Sequence, residues 1–92
     1  MQAIPPIYTF TVDGCTSNIY HGSVGQGLPK HDHAYSHVTF VANGSVVVRK
    51  EFVEKVVTKH TQPINLKAGE WHEIEILEND TVFVNVFSDP LA

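Results

Sequence analysis

Three histidines lie close together in the segment GLPKHDHAYSH, which runs from Gly27 to His37. His31, His33 and His37 account for half of the six histidines in the chain. Imidazole nitrogens bind divalent iron, nickel, copper and zinc, so the cluster predicts a metal site. A His-x-His pair on its own is more often two ordinary histidines, and a polar loop rich in imidazole is the alternative interpretation.

Short strands are predicted along the whole chain, because Val, Ile, Thr, Phe and Tyr dominate and turn residues recur between them. Tyr8 to Val12 alternates and ends at a turn, and a second strand is expected over 18–24. Gly25, Gly27 and Pro29 are expected to break regular pairing. No stretch keeps a helical period, and EFVEKVVTKH is interpreted as strand. The sequence predicts one compact antiparallel all-β domain.

The dipeptide Asn43-Gly44 separates the apolar runs HVTFVA and SVVVRK. Asn-Gly suits the two positive φ angles of a type I′ turn, so a tight hairpin is predicted, in which His37 faces Lys50. The side chains that would then share the metal-side face are Thr39, Val41, Val46, Val48 and Lys50. In that position Lys50 is a candidate to bind a substrate carboxylate or to act as a catalytic base, and a solvated ammonium outside the barrel is the alternative.

Strand alternation also orients the histidines. His31 and His33 are two residues apart, so both side chains point the same way, and His37 keeps that parity unless a turn intervenes. In WHEIEI, His72 alternates onto the isoleucine face, which is the expected core side. Imidazoles that point into an apolar interior need partners for their nitrogens, and a divalent cation satisfies several of them together.

The spacing of these residues resembles the first motif of the cupins, small β-barrels that hold a metal in the barrel mouth. That motif reads Gly, five residues, His-x-His, three or four residues, Glu, six residues, Gly. The chain has Gly25, His31, His33, His37 and Gly44 at these spacings. The one departure is His37, which occupies the position of the family's glutamate.

The second cupin motif, Gly-x5-Pro-x-Gly-x2-His-x3-Asn, is kept in part from Gly69 to His72. Thr61, Lys67 and Ile76 stand where the family has Gly, Pro and Asn. The resemblance implies that residues 1–92 form a single cupin domain, a β-barrel or jelly-roll sandwich. The metal ligands that it implies are His31, His33, His37 and His72.

Four imidazoles would leave the full 2+ charge on the metal, whereas a glutamate would cancel part of it. Such a centre favours anionic ligands such as carboxylates or enolates. The ligand set does not choose among Fe, Ni, Zn, Cu and Mn. An octahedral centre with two open positions would suit a dioxygenase, a lyase or an isomerase that acts on a small anionic molecule. The alternative is a non-catalytic module that binds a metal or a small ligand.

Other polar and aromatic residues have weaker predicted roles. Tyr35, close to the implied ligands, is a candidate catalytic proton donor, with packing beside the metal as its alternative role. Trp71 is expected to pack or to contact another subunit. His21 and His60 lie outside the motif and are interpreted as surface residues or as supports of the site. Asp32 lies between two inward histidines and should face away from the metal.

Composition argues against several classes of partner. The formal net charge is −4 and the only basic run is Arg49-Lys50, so nucleic acids and anionic membranes are not expected partners. The apolar runs are too short to span a bilayer, and the N-terminal segment lacks the features of a signal peptide. The single Cys15 fits a reducing cytoplasm, which is the expected location.

The segment MQAIPPIYTF is the basis of an expected homodimer. Cupins commonly dimerise, and a small barrel gains stability by covering an edge strand. Pro5 and Pro6 fit an edge strand or an arm, because proline cannot donate a hydrogen bond to a central ladder. We therefore expect this segment to pair with the sheet of a partner.

Overall fold

The computed structural model describes residues 1–88, which form strands and turns. The ten strands are β1 (Gln2–Ala3), β2 (Tyr8–Val12), β3 (Cys15–Gly22), β4 (Gln26–His31), β5 (His37–Asn43), β6 (Ser45–Lys50), β7 (Val53–Thr58), β8 (Ile64–Leu66), β9 (His72–Ile76) and β10 (Thr81–Ser88). The predicted all-β fold is confirmed. None of the described residues belongs to a helix with the length and hydrophobicity needed to span a bilayer.

The strands form two five-stranded sheets that pack as a sandwich. The first sheet has the order β1-β4-β9-β6-β7, and the second sheet has the order β2-β3-β10-β5-β8. Neighbouring strands are antiparallel, except that β1 runs parallel to β4. The segment EFVEKVVTKH, interpreted as strand, supplies β7.

The inner faces of the two sheets form the core. Its fully buried apolar side chains are Val46, Val48, Val57, Leu66, Ile74, Ile76 and Phe83. Alternation within each strand produces this arrangement. In β9 the histidine and the isoleucines are buried, whereas Glu73 and Glu75 lie on the outer side, within 3.4 and 2.7 Å of the Arg49 guanidinium.

The predicted hairpin at Asn43-Gly44 is wrong, because the chain changes sheets there. β5 belongs to the second sheet and β6 to the first. A type I′ turn needs two positive φ angles, and of these two residues only Gly44 has one, at 78°. The Asp13-Gly14 turn has both, at 51° and 76°, and it joins β2 to β3 as a tight hairpin.

The change of sheet also corrects the predicted partner of Lys50. His37 is paired with Leu66 of β8, and Lys50 is paired with His72 of β9. Lys50 nevertheless shares a face with a histidine, since directly opposed residues point to the same side of a sheet. Four other residues predicted to point inward are buried, which confirms their orientation. They are Thr39, Val41, Val46 and Val48.

The glycine-rich segment before the histidines is more regular than predicted. β3 ends at Gly22, and β4 begins at Gln26 and continues through Gly27 and Pro29. Pairing with β9 is irregular only between Leu28 and His31, where the register shifts. The expected break therefore occurs at the proline, which lacks the N–H that a ladder needs, and the expectation for Gly27 is wrong.

The N-terminal segment contributes to both sheets of its own chain. Gln2 and Ala3 pair with Gln26 and Gly27 of β4, and β2 pairs with β3 along its whole length. β1 and β2 each form an edge of a sheet. Pairing of this segment with a partner stays a prediction.

Candidate metal centre

Four histidines meet between the two sheets, and they come from separate elements. His31 ends β4 and His72 begins β9, and the two are directly opposed in the first sheet. His37 begins β5 in the second sheet, and His33 lies in the connection between β4 and β5. The expected parity along one strand is therefore not what brings these residues together. The chain gathers them as it passes from one sheet to the other.

The rings of His31, His33 and His37 surround that of His72. The centroid of the His72 ring lies 4.4 Å from that of His31 and 5.0 Å from those of His33 and His37. Ligand nitrogens of His31, His33 and His72 lie within 4.8 Å of one another, a spacing that can hold a metal ion. His37 stands beside this three-histidine cluster, with its Nε2 atom 3.2 Å from Nε2 of His72.

Hydrogen bonds identify the protonated nitrogen in three of the rings. Their Nδ1 atoms lie 2.6–3.2 Å from backbone carbonyl oxygens, and the pairs are His31 with Pro29, His33 with Tyr35 and His72 with Glu70. Because a carbonyl oxygen can only accept, each Nδ1 carries the proton. Each Nε2 of a neutral ring is therefore left with a lone pair.

His37 has the same tautomer for a less direct reason. Its Nδ1 atom lies 3.2 Å from Oγ1 of Thr39, which donates at 2.6 Å to Oδ1 of Asn85. The hydroxyl has a single proton and gives it to the amide oxygen, so it must accept from His37. The Nε2 atoms of His37 and His72 therefore face each other as two acceptors, and this contact is repulsive unless a proton or a cation is shared.

The buried rings resist protonation. Burial, followed by the neighbouring imidazoles, lowers the pKa of His37 to about 3. Burial, followed by His31, lowers the pKa of His72 to about 4. Both rings are therefore neutral at physiological pH, which is the form that binds metals.

Acid is expected to destabilise the metal-free protein. An unfolded histidine takes up a proton near pH 6.5, but His37 and His72 stay neutral in the folded state down to about pH 3 and about pH 4. The unfolded state then binds more protons, so the free energy of unfolding falls as the pH drops below 6.5. We expect a loss of about 2 kcal/mol for each of the two rings between pH 7 and pH 5, about 4 kcal/mol together, measured by urea unfolding.

The matched control for this titration is an exposed histidine. His37→Gln should reduce the pH dependence, because it removes one of the two groups responsible. His60→Gln should leave it unchanged, since His60 is exposed. An unfolding free energy that is constant from pH 7 to pH 5 in the wild-type protein would contradict the assignment.

A cavity of about 460 Å³ opens beside the histidines. Its lining consists of Asn18, Tyr20, Leu28, Pro29, Lys30, His31, His33, Tyr35, His37, Asn85 and Phe87. Among residues 1–88, Lys30 is the only Asp, Glu, Lys or Arg in this wall, and its Nζ atom lies 4.4 Å above the Trp71 ring. The volume and the mostly apolar wall suit a small organic ligand.

Tyr35 packs directly on a histidine of the cluster. Its ring is stacked on that of His33, with centroids 4.3 Å apart and planes 5° from parallel. The Tyr35 ring is also stacked on that of Phe87, with centroids 4.5 Å apart. The packing role expected as an alternative for Tyr35 is therefore present, and the proton-donor role stays a prediction.

Lys50 stands next to the cluster but outside the cavity wall. It is opposed to His72 in the first sheet, and its Nζ atom lies 3.2 Å from Oε1 of Glu70. Its role as a base or carboxylate ligand stays a prediction. Asp32, His21 and His60 are exposed, and Nε2 of His21 lies 3.5 Å from a carboxylate oxygen of Asp80.

Sequence reasoning missed the cavity residues of β3 and β10. Asn85 is buried and orients Thr39, and Tyr20 stacks on Phe83 at 4.8 Å. Burial raises the pKa of Tyr20, so its hydroxyl remains a hydrogen-bond donor. One signal was present: Asn85 interrupts the apolar run TVFVNVF, and an amide in a buried strand requires a partner.

The two packed five-stranded sheets match solved cupin structures, so the chain has the cupin fold. KdgF from Halomonas sp. has a TM-score of 0.78 at 16% identity, covering 87% of this chain and 74% of that one. A cupin 2 domain-containing protein from Halorhodospira halophila has a TM-score of 0.77 at 14% identity, covering 89% and 62%.

A cupin protein from Bacteroides fragilis has a TM-score of 0.67 at 14% identity, covering 86% of this chain and 69% of that one. At such identities the similarity shows the fold alone. No protein-family model matches the sequence, and no curated protein matches it significantly.

Proposed function

We propose that the protein binds one divalent transition metal through His31, His33, His37 and His72. The observation that carries the proposal is the cluster of ligand nitrogens from His31, His33 and His72, which lie within 4.8 Å of one another, with Nε2 of His37 3.2 Å from Nε2 of His72. In each of the four rings Nε2 is free to bind a metal because Nδ1 donates elsewhere. Protons do not satisfy the buried pair, since the pKa values of His37 and His72 lie far below neutrality. A cation satisfies all four nitrogens.

The donor set indicates the chemistry that the metal supplies. Imidazole suits Fe, Ni, Cu and Zn better than Mn, so we propose that the metal is one of the former. No carboxylate is among the proposed ligands, and a bound metal would act as a Lewis acid with its full 2+ charge.

We infer that the centre serves a metal-dependent enzyme, of the dioxygenase, lyase or isomerase type, that acts on a small anionic molecule. The cavity beside the histidines has the size of a small-molecule site, and its Lys30 ammonium would attract a carboxylate. Its aromatic walls would exclude water, and Tyr35 and Lys50 are the candidate proton carriers.

The exposed free thiol of Cys15 supports a location in a reducing cytoplasm.

A non-catalytic binding module is the second candidate function. This alternative is favoured because both candidate proton carriers, Tyr35 and Lys50, already contact other side chains. Tyr35 is stacked between two rings, and the Lys50 ammonium lies against Glu70. In that case the metal would hold a ligand in the cavity without turnover.

The proposed metal site is tested by metal analysis of protein purified without a histidine tag. Samples are loaded anaerobically with Fe(II), Ni(II) or Zn(II), and unbound metal is removed. We expect close to one equivalent per chain with at least one of these metals. Protein that retains none of these three, and no Cu(II) when loaded in the same way, is incompatible with the proposal.

Enzyme and binding module are separated by turnover. The Fe(II) form is tested for O₂ consumption against β-diketones, thiols and keto acids, and each loaded form is tested for product formation from the same compounds. Turnover supports the enzyme. Strong thermal stabilisation by a compound that is not converted supports the binding module.

Thr39→Val is expected to weaken metal binding about 10–100-fold, because it removes the group that orients a ligand. The change preserves shape, but Nδ1 of His37 loses its acceptor and Oδ1 of Asn85 loses its donor. Competition with a chromogenic chelator measures the affinity. Thr9→Val is the control, since Thr9 also donates to an amide oxygen, that of Asn18, but at an exposed position. Equal affinities for Thr39→Val and the wild type would contradict the tautomer assigned to His37.

A further inference from the structure

A row of polar side chains crosses the inner side of the second sheet. Cross-strand register places Thr9, Asn18, Asn85 and Thr39 directly opposite one another on β2, β3, β10 and β5. Directly opposed residues share a side of a sheet, and the burial of Asn85 and Thr39 shows that this side is the inner one. Buried polar groups need hydrogen-bond partners, so the pairing within the row determines which atoms remain available.

Each threonine of the row donates to the asparagine beside it. Oγ1 of Thr9 lies 2.8 Å from Oδ1 of Asn18, and Oγ1 of Thr39 lies 2.6 Å from Oδ1 of Asn85. Asn18 also hydrogen-bonds the side chain of Tyr20. Within residues 1–88, the side chain of Asn85 is hydrogen-bonded only to Thr39. Both N–H donors of its Nδ2 atom are therefore free of protein acceptors.

Asn85 lies in the wall of the cavity beside the histidines. Its side chain is more than nine-tenths buried, since the residue is only 7% exposed, and it shares the wall with His31, His33 and His37. A buried amide N–H requires an acceptor. Because Thr39 occupies the amide oxygen, the amide nitrogen is the group that Asn85 can offer to a molecule in the cavity.

We propose that Asn85 determines ligand specificity by donating from Nδ2 to an oxygen atom of a small organic acid. The inference rests on the proposed metal centre, which would hold one oxygen-bearing group of the ligand, while Asn85 receives a second one. Within residues 1–88, the cavity wall contains Lys30 and neither Asp nor Glu. The wall therefore favours a carboxylate over an ammonium group at the second position.

Thr39 connects this position to the histidines. Its hydroxyl accepts from Nδ1 of His37 at 3.2 Å and donates to Oδ1 of Asn85. The same hydroxyl thus directs Nε2 of His37 toward the cluster and the amide nitrogen of Asn85 away from Thr39. Asn85→Asp preserves the acceptor for Thr39, so the variant should retain the metal, but it replaces both N–H donors with a second acceptor.

Calorimetric titration of the full chain, loaded with the metal that it retains, tests the proposal at pH 7.5. Two sets of linear acids differ only in the group at the far end: succinate, butanoate and 3-aminopropanoate, and glutarate, pentanoate and 4-aminobutanoate. In at least one set the wild-type protein should bind the dicarboxylate about 10–100-fold more tightly than either matched acid, the range expected for a hydrogen bond to a charged group. Asn85→Asp should lose this preference and bind the amino acid most tightly.

The matched control is Asn65→Asp, which adds the same charge at an exposed position of β8 and should keep the wild-type order of affinities. Metal-loaded wild-type protein without the preference overturns this inference and leaves the metal centre in place. So does a folded, metal-loaded Asn85→Asp protein that keeps the wild-type order, or an equal change of order in Asn65→Asp. If circular dichroism shows that Asn85→Asp is unfolded, the wild-type affinities decide. Protein that retains no metal overturns this inference and the metal centre together.

Discussion

His72→Ala is expected to lower the affinity for Zn(II) by more than about 100-fold, since the loss of a mere supporting group already costs about 10–100-fold. His72 is the ring around which the other three are arranged, and its Nε2 atom belongs to the three-histidine cluster and also faces that of His37. Its removal leaves the other donors without their common neighbour. Chelator competition on untagged protein measures the affinity.

Two further variants make this result specific. His33→Ala should cause a similar loss, and because His33 is half-buried in a connection, the fold is less at risk than at the buried His72. His60→Ala, at an exposed histidine, should bind metal like the wild type. If folded His33→Ala and His72→Ala both retain their metal, the histidine cluster is not the site.

Gly44→Ala is expected to destabilise the protein by about 2–5 kcal/mol. Gly44 has a φ of 78°, where a residue with a Cβ atom costs about 1–2 kcal/mol. The added methyl group would also collide with Oγ1 of Thr81 and approach its Cα atom to 3.0 Å. Thr81 is fully buried and donates to the carbonyl of Glu78, so it cannot move aside, and such overpacking costs about 1–3 kcal/mol more.

Gly69→Ala separates the two contributions. Gly69 has nearly the same φ, 76°, but a Cβ atom added there would meet no atom within 4 Å. The free energy of unfolding of this variant should therefore fall only by the cost of the positive φ angle, about 1–2 kcal/mol. Urea unfolding of both variants in the presence of a chelator gives the comparison. Equal losses of unfolding free energy in the two variants would show that Thr81 does not obstruct a Cβ atom at position 44.

Most strands were predictable because alternation is a local property. The Asn43-Gly44 hairpin predicts Val41 and Val46 on the inner side. Both are buried although that hairpin is wrong, because the two-residue period holds within each strand. The wrong hairpin at Asn43-Gly44 has a long-range cause. The dipeptide favours a tight turn locally, but β6 instead pairs with β7 and β9 in the first sheet, where its inner side chains Val46 and Val48 are fully buried.

The supports of the site were harder to predict. Thr39 and Asn85 are distant in sequence and meet only because β5 and β10 are neighbours in the second sheet. The hydrogen bond between them determines which nitrogen of His37 faces the cluster. No spacing rule along the chain contains that information.

Side-chain identity and spacing were therefore sufficient to predict most of the strands, the inner faces and the candidate metal-binding side chains, because each depends on near neighbours in sequence. The three-dimensional arrangement was needed to show that His31 and His72 come from the first sheet, His37 from the second and His33 from the connection between them. It also showed that the five strands of the second sheet contain no Asp, Glu, Lys or Arg. Both features depend on which strands exchange hydrogen bonds, and that choice is made by the whole chain when it buries two apolar faces together.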